Sequence, residues 1–175
     1  MVATDVASTL GGPPVFGVFD FGQFGGSRSL DTFALKKGPV REFSGTTSID
    51  ASPFTRRFAV SVTTDYVQYG RWPVSSAYTT NGGATWVRFP TMPGNAESAA
   101  DFGYGTIAVS TADNIVWAPG RYYYTRSDDF RPWFTTDRGT TWQPIELPGV
   151  TSYPRDSIGG FMFGRNRQTI VADPV

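Results

Sequence analysis

Residues 79–86 read TTNGGATW and residues 135–142 read TTDRGTTW. Thr79, Asn81, Gly83, Thr85 and Trp86 in the first stretch correspond to Thr135, Asp137, Gly139, Thr141 and Trp142 in the second. A chain with this pattern twice must build the same local structure twice. In the second copy, residues 136–139 predict a hairpin turn. Asp137 accepts hydrogen bonds from nearby backbone N–H groups, and Gly139 supplies a positive φ at no steric cost. Thr141 is placed to bond the turn from its far side. Trp142 then packs its ring beneath the hairpin, with its indole N–H facing a local acceptor. Asn81 accepts the same bonds without a charge. The expected role of both copies is structural. The alternative is a calcium or sugar contact through the Asp137 carboxylate.

Around the repeat, 20 glycines and 13 prolines break the chain at short intervals. No stretch keeps an apolar period of 3.6 residues over three turns. Short strand-like runs recur instead: PPVFGVFDF, RRFAVSVTT, SSAYTT, TWVRFP, GTIAVST, NIVWAPG, RYYYTRS, RPWFTTD, TWQPIEL, GGFMFGR and QTIVAD. Turn signals lie between them, and residues 90–101 predict a loop with one helical turn. Trp86 and Trp142 are 56 residues apart, close to one four-stranded propeller blade with generous loops. The expected fold is all-β, a partial β-propeller of about three antiparallel blades. Its approximate units are 11–89, 90–150 and an incomplete 151–175. Three blades fall short of the ring of roughly four to eight that a propeller closes. The chain is therefore expected to be a piece of a larger protein, completed by further blades, or an open assembly with exposed edges.

Composition narrows the chemistry. Hydrophobic residues make up 39% and charged residues 17%, a balance that excludes a disordered chain. Fifteen basic residues match fifteen acidic ones, so no nucleic-acid partner is expected. With no cysteine and no histidine, disulfides, thiolate or imidazole metal sites and Ser-His-Asp machinery are excluded. No cofactor or metal is expected, a carboxylate-only calcium site aside. No apolar run approaches the roughly 20 residues of a membrane span. The N-terminus lacks the basic and apolar regions of a signal peptide.

In an enzyme, Asp, Glu, Tyr and Arg would then have to carry the chemistry, and Asp20 stands out. It follows the apolar run VFGVF, between Phe19 and Phe21. A carboxyl among aromatics loses hydration, which raises its pKa and suits it to general acid work near neutral pH. The plainer reading is a turn Asp at a strand end. Aromatic residues are the other resource, because sugar rings stack on aromatic faces. Tyr69 and Trp72 lie in VQYGRWPVSS, an aromatic, polar, Pro-containing insertion; Tyr122 and Tyr123 lie in PGRYYYTRSDDF beside Arg121, Arg126, Asp128 and Asp129. These four are the candidate substrate-binding residues, against the plainer reading of core and inter-blade packing.

The octapeptide resembles the Asp-box, or BNR repeat, shared by sialidases, sortilin-like receptors, photosystem assembly factors and family 74 glycoside hydrolases. In these families the box is a structural hairpin on the outer rim of a propeller. The longer order of motifs is similar to the start of the second propeller of family 74 (xyloglucanases and relatives). Pro13-Pro14, the run from Val15 to Val18, Phe19-Asp20-Phe21, Phe24 and Leu30-Asp31 correspond to its Gly-Asp-Ile-x-Gly-Phe region. GTTSIDASPFTRRFAV, GTIAVSTADNIVWAPG and GRNRQTIVADPV resemble later segments of the same family, in the same order. The resemblance spans roughly residues 11–175. The chain departs from it at Phe19, where the family has Gly, and in lacking the family's Phe-x-His element.

The resemblance implies cleavage of β-1,4-glucan backbones, chiefly xyloglucan, by inversion, with Asp20 on the catalytic acid of the second propeller. Inversion places two carboxyls roughly 6.5–9.5 Å apart, with a water between base and sugar. ATDV at residues 3–6 is similar to an element of the first propeller, but its following residues do not match, so the base is not carried over to Asp5. The expected partner is a polysaccharide, with the missing blades of a parent chain and no membrane. Activity is expected only in a complete two-propeller protein, secreted to the periplasm or beyond. The alternative is a non-catalytic Asp-box module binding glycan or protein, as in sortilin-like receptors or assembly factors. A sialidase is a further alternative, but its arginine cluster and Tyr/Glu pair cannot be assembled from this sequence.

Overall fold

The computed structural model describes residues 2–19, 22–25, 35–37, 45–64, 74–95, 105–120, 130–153 and 170–172. Their strands form three antiparallel sheets of four, each laid out in chain order. The first holds β1 (Val2–Ser8), β2 (Pro14–Phe19), β3 (Gly22–Gly25) and β4 (Leu35–Lys37). The second holds β5 (Gly45–Ala51), β6 (Ala59–Thr64), β7 (Val74–Thr79) and β8 (Val87–Arg88). The third holds β9 (Thr106–Thr111), β10 (Asn114–Ala118), β11 (Trp133–Thr135) and β12 (Gln143–Pro144). A 3-10 turn, Pro93–Asn95, falls within the expected loop. The fold is all-β, and the sheets stack as neighbouring propeller blades do. The region 11–89 holds strands of the first two sheets, 90–150 contains the third, and most of 151–175 lies outside the described residues.

Strands with period-2 patterning pack on both faces. On β6, Val60 and Val62 point toward the third sheet and Ala59 points toward the first. The core between the second and third sheets is large and aromatic. It joins Phe58, Val60, Val62, Phe89, Ile107, Val109, Ile115, Trp117 and Trp142. Phe58, Tyr78 and Phe89 stack in series at 5.9 and 5.5 Å, and Trp142 meets Phe89 and Trp117 edge-on at 5.6 and 6.0 Å. The core between the first and second sheets is smaller: Ala7, Val15, Ile49, Ala59, Ala77 and Trp86.

Four of the twelve described strands, β1, β3, β4 and β5, are absent from the strand-like runs, and of these β1 and β5 are seven residues long with no apolar alternation. VATDVAS and GTTSIDA are rich in Thr, Ser and Asp, and yet Thr46, Thr47 and Ser48 are buried. They are strands because their polar groups bond the next sheet. Asp5 Oδ2 accepts from Ile49 N–H at 2.9 Å, and Asp50 Oδ2 accepts from Val109 N–H at 2.8 Å. Each carboxylate also accepts from the N–H that follows it, Val6 and Ala51 respectively. Thr4 Oγ1 donates to the Thr46 carbonyl, Ser48 Oγ accepts from Ile107 N–H, and Ser52 Oγ donates to the Ser110 carbonyl. The partners advance together along the chain, so β1, β5 and β9 lie side by side and run in the same direction. A buried hydroxyl or carboxylate without such a partner would cost several kcal/mol.

Candidate functional site

Strand direction decides which loops share an end. β1, β5 and β9 start at one end, so β2, β6 and β10 finish there and β3, β7 and β11 start there. The connections 20–21, 65–73 and 119–132 therefore leave the same end of three adjacent sheets. The opposite end carries the turns between first and second strands and both TTxxGxTW turns. There Arg57 N–H donates to Leu10 O at 3.0 Å, Gly82 N–H donates to Arg57 O at 2.8 Å, and Arg138 pairs with Asp113 at 3.0 Å.

Asp20, Tyr69, Trp72, Tyr122 and Tyr123 lie outside the described residues. The strand ends that flank them set what is known of their neighbourhood. Next to the 20–21 connection, the row Asp5, Gly17, Gln23 runs across the first sheet in register. Residues paired in this way share a face, and this face meets the second sheet. Gly17 cannot carry a side chain: an added Cβ would sit 2.8 Å from the Thr46 methyl and 3.4 Å from Ile49 Cδ1. The second sheet thus closes on the first without a gap. Gln23 is wholly buried, and its Nε2 donates to Ser61 Oγ at 2.7 Å. Toward this end the interface is polar, with Gln23, Thr46, Ser61 and Thr63 all buried. Toward the other end it is apolar. Gln23 and Ser61 were not among the sequence candidates. A Gln in a Gly-rich run and a Ser in a strand carry no signal until the two sheets are brought together.

Burial pushes the Asp5 carboxyl above its ordinary pKa near 3.8, and the N–H bonds from Ile49 and Val6 oppose that shift. A carboxyl with a raised folded pKa favours the fold most below its unfolded pKa. That contribution is lost as pH rises through the folded value. Asp5→Asn keeps an acceptor for Ile49 N–H without the charge. Melting curves between about pH 3 and pH 7 should show wild type falling steadily relative to D5N as pH rises, with Asp5→Ala below both at low pH. A constant gap between wild type and D5N across that range would contradict a desolvated Asp5.

At the opposite end the two repeats share one hydrogen-bond pattern. Thr79 Oγ1 donates to Asn81 Oδ1 at 2.9 Å and accepts from Gly83 N–H at 2.9 Å; Asn81 Oδ1 accepts from Thr85 N–H at 2.9 Å. Thr135 Oγ1 donates to Asp137 Oδ1 at 2.8 Å and accepts from Gly139 N–H at 2.9 Å; Asp137 Oδ1 accepts from Thr141 N–H at 2.9 Å. One bond reverses its sense. Asn81 Nδ2 donates to Thr85 Oγ1, whereas Thr141 Oγ1 donates to Asp137 Oδ2. A hydroxyl donates or accepts, so one scaffold accommodates both amide and carboxylate. The Thr141 backbone N–H, then the Thr141 and Thr135 hydroxyls, hold the Asp137 carboxyl down at a pKa of about 2. Both of its oxygens are thus engaged within the turn. Gly139 has φ 76° and lies against Phe89, 2.6 Å from where a Cβ would stand. Among the described residues no cluster of three or more acidic side chains is gathered as a metal site.

A groove of about 470 Å³ lies on the third sheet, lined by Phe54, Ala108, Ser110, Asn114, Val116 and residues 170–172. Among the described residues that line it, none carries a titratable side chain.

No protein-family model matches the chain, and no curated protein matches it. Among solved structures, the chain is similar to the GH74 xyloglucanase from Xanthomonas campestris. The TM-score is 0.61 and the identity 27%, over 84% of this chain and 19% of that one. The chain therefore matches about one fifth of that enzyme's length, and the likeness to family 74 read from the sequence is shown in three dimensions.

Proposed function

We propose that the chain forms part of a glycoside hydrolase that cleaves β-1,4-glucan backbones, chiefly xyloglucan, by inversion, with Asp20 as general acid. Asp20 protonates the leaving glycosidic oxygen. A second carboxylate, supplied by a further part of the protein, draws a proton from the attacking water across a gap of roughly 6.5–9.5 Å. Phe19 and Phe21 would limit hydration of the acid and so help it keep its proton near neutral pH. Tyr69, Trp72, Tyr122 and Tyr123 would stack on glucose rings. The observation that carries the reading is convergence: the strand ends flanking 20–21, 65–73 and 119–132 meet at one end of three stacked sheets. A parent protein acting on a plant polysaccharide would work outside the cytoplasm, in the periplasm or beyond the cell. A second reading is a non-catalytic module that binds glycan or protein; the hydrogen bonds that Asn81 and Asp137 make within their own turns support a structural role for the boxes in either case.

The test uses the full-length protein with xyloglucan, followed by proton NMR. The expected first product is the α-anomer at the new reducing end, which mutarotates later. A β-anomer first would overturn inversion. Absence of cleavage with glycan binding retained would favour the binding module.

A further inference from the structure

Gln23 is an expensive residue for its position. An amide wholly buried between two sheets loses its hydration and needs partners for both ends. Nε2 finds Ser61 Oγ at 2.7 Å, but among the described residues Oε1 has no partner, and neither does the buried Thr46 Oγ1 in the same interface. A Leu would fill a similar volume without this cost. Stability therefore does not account for the amide, while its one bond has a specific address. β3 leaves the 20–21 connection, and β6 leads into the 65–73 connection. Ser61 is itself held in place, since its carbonyl accepts from Ser76 Oγ at 2.9 Å on β7, the strand that leaves 65–73.

We propose that Gln23 is a positioning residue: through Ser61 it fixes the strand that leaves Asp20 against the strands that flank the Tyr69 and Trp72 connection. The strands that flank Asp20 belong to the first sheet and those that flank Tyr69 and Trp72 to the second, and this bond sets one pair against the other. The inference rests on the hydrolase reading and adds to it a determinant that does not itself touch substrate. A misplacement of about 1 Å at a catalytic group can cost on the order of 100-fold in rate, so a single inter-sheet bond is enough to matter.

The test compares Gln23→Leu, Ser61→Ala, the double variant and Gln23→Glu in the full-length protein, with xyloglucan as substrate. Q23L is expected to melt near the wild-type temperature and S61A below it, because S61A leaves the buried amide without its one partner; each is expected to lose about 10-fold or more in kcat, with KM changed far less. The double variant should lose no more than either single one, because both break the same bond. Q23E should recover relative to Q23L as pH falls, since a protonated carboxyl again donates to Ser61 Oγ. Wild-type kcat in a folded Q23L or S61A, or losses that add in the double variant, would overturn the positioning role while leaving the hydrolase reading intact. A wild-type protein that neither cleaves nor binds xyloglucan would overturn both. Gln23→Met, which also removes the amide and has a more adaptable side chain, keeps the test readable if Q23L misfolds.

Discussion

Trp142→Ala is expected to lower the free energy of unfolding by about 3–5 kcal/mol, the usual cost of emptying a buried Trp site. The indole is 8% exposed and lies edge-on to both Phe89 and Trp117, so it joins the second sheet to the third. Its Nε1 donates to the Thr91 carbonyl at 3.0 Å, and Thr91 in turn donates its N–H to the Gly139 carbonyl at 3.0 Å. The box of the third sheet is thus fastened to the chain leaving the second. Trp86 occupies the equivalent position one sheet earlier, but its Nε1 has no partner among the described residues. The two Trp→Phe variants therefore separate ring from N–H. Trp142→Phe should cost roughly 1 kcal/mol more than Trp86→Phe, the worth of one hydrogen bond. Urea denaturation checks both figures. Equal losses for the two Phe variants would show that the Thr91 bond contributes nothing, and a loss near zero in W142A would remove the ring from the core.

Asp20→Asn in the full-length protein is expected to lower kcat on xyloglucan by about 10²–10⁴-fold with glycan binding preserved, the range that general acid catalysis contributes. An Asn has no proton to give the leaving oxygen. The loss should shrink sharply on an aryl glycoside whose phenol leaves without protonation. That contrast distinguishes an acid from a residue that merely supports the loop, which would depress both substrates alike. Unchanged xyloglucan cleavage in D20N would sink the assignment.

Much of the fold is legible along the chain. The doubled octapeptide carries its own geometry: a Thr, an acid or amide, and a Gly at positive φ close the same turn in both copies. Apolar strands such as β6 and β10 are visible by alternation or by continuous apolar runs. The polar first strands are not. GTTSIDA carries no apolar alternation to mark it as a strand, and Ser48 and Asp50 find their inter-sheet partners only on a neighbouring sheet. The same holds for Gln23, whose partner Ser61 is 38 residues away.

Residue order alone therefore established the all-β class and the repeat, because turn chemistry and period-2 patterning are local properties of the chain; the likeness to family 74 came from the order of its motifs. Packing one sheet on the next decided the rest. It made β1 and β5 strands, turned Asp5 and Asp50 into inter-sheet acceptors, and put the boxes at the opposite end of the sheets from the strand ends that flank residues 20–21. These are consequences of strand direction and of backbone groups that must find partners once water is excluded, and no local pattern encodes either.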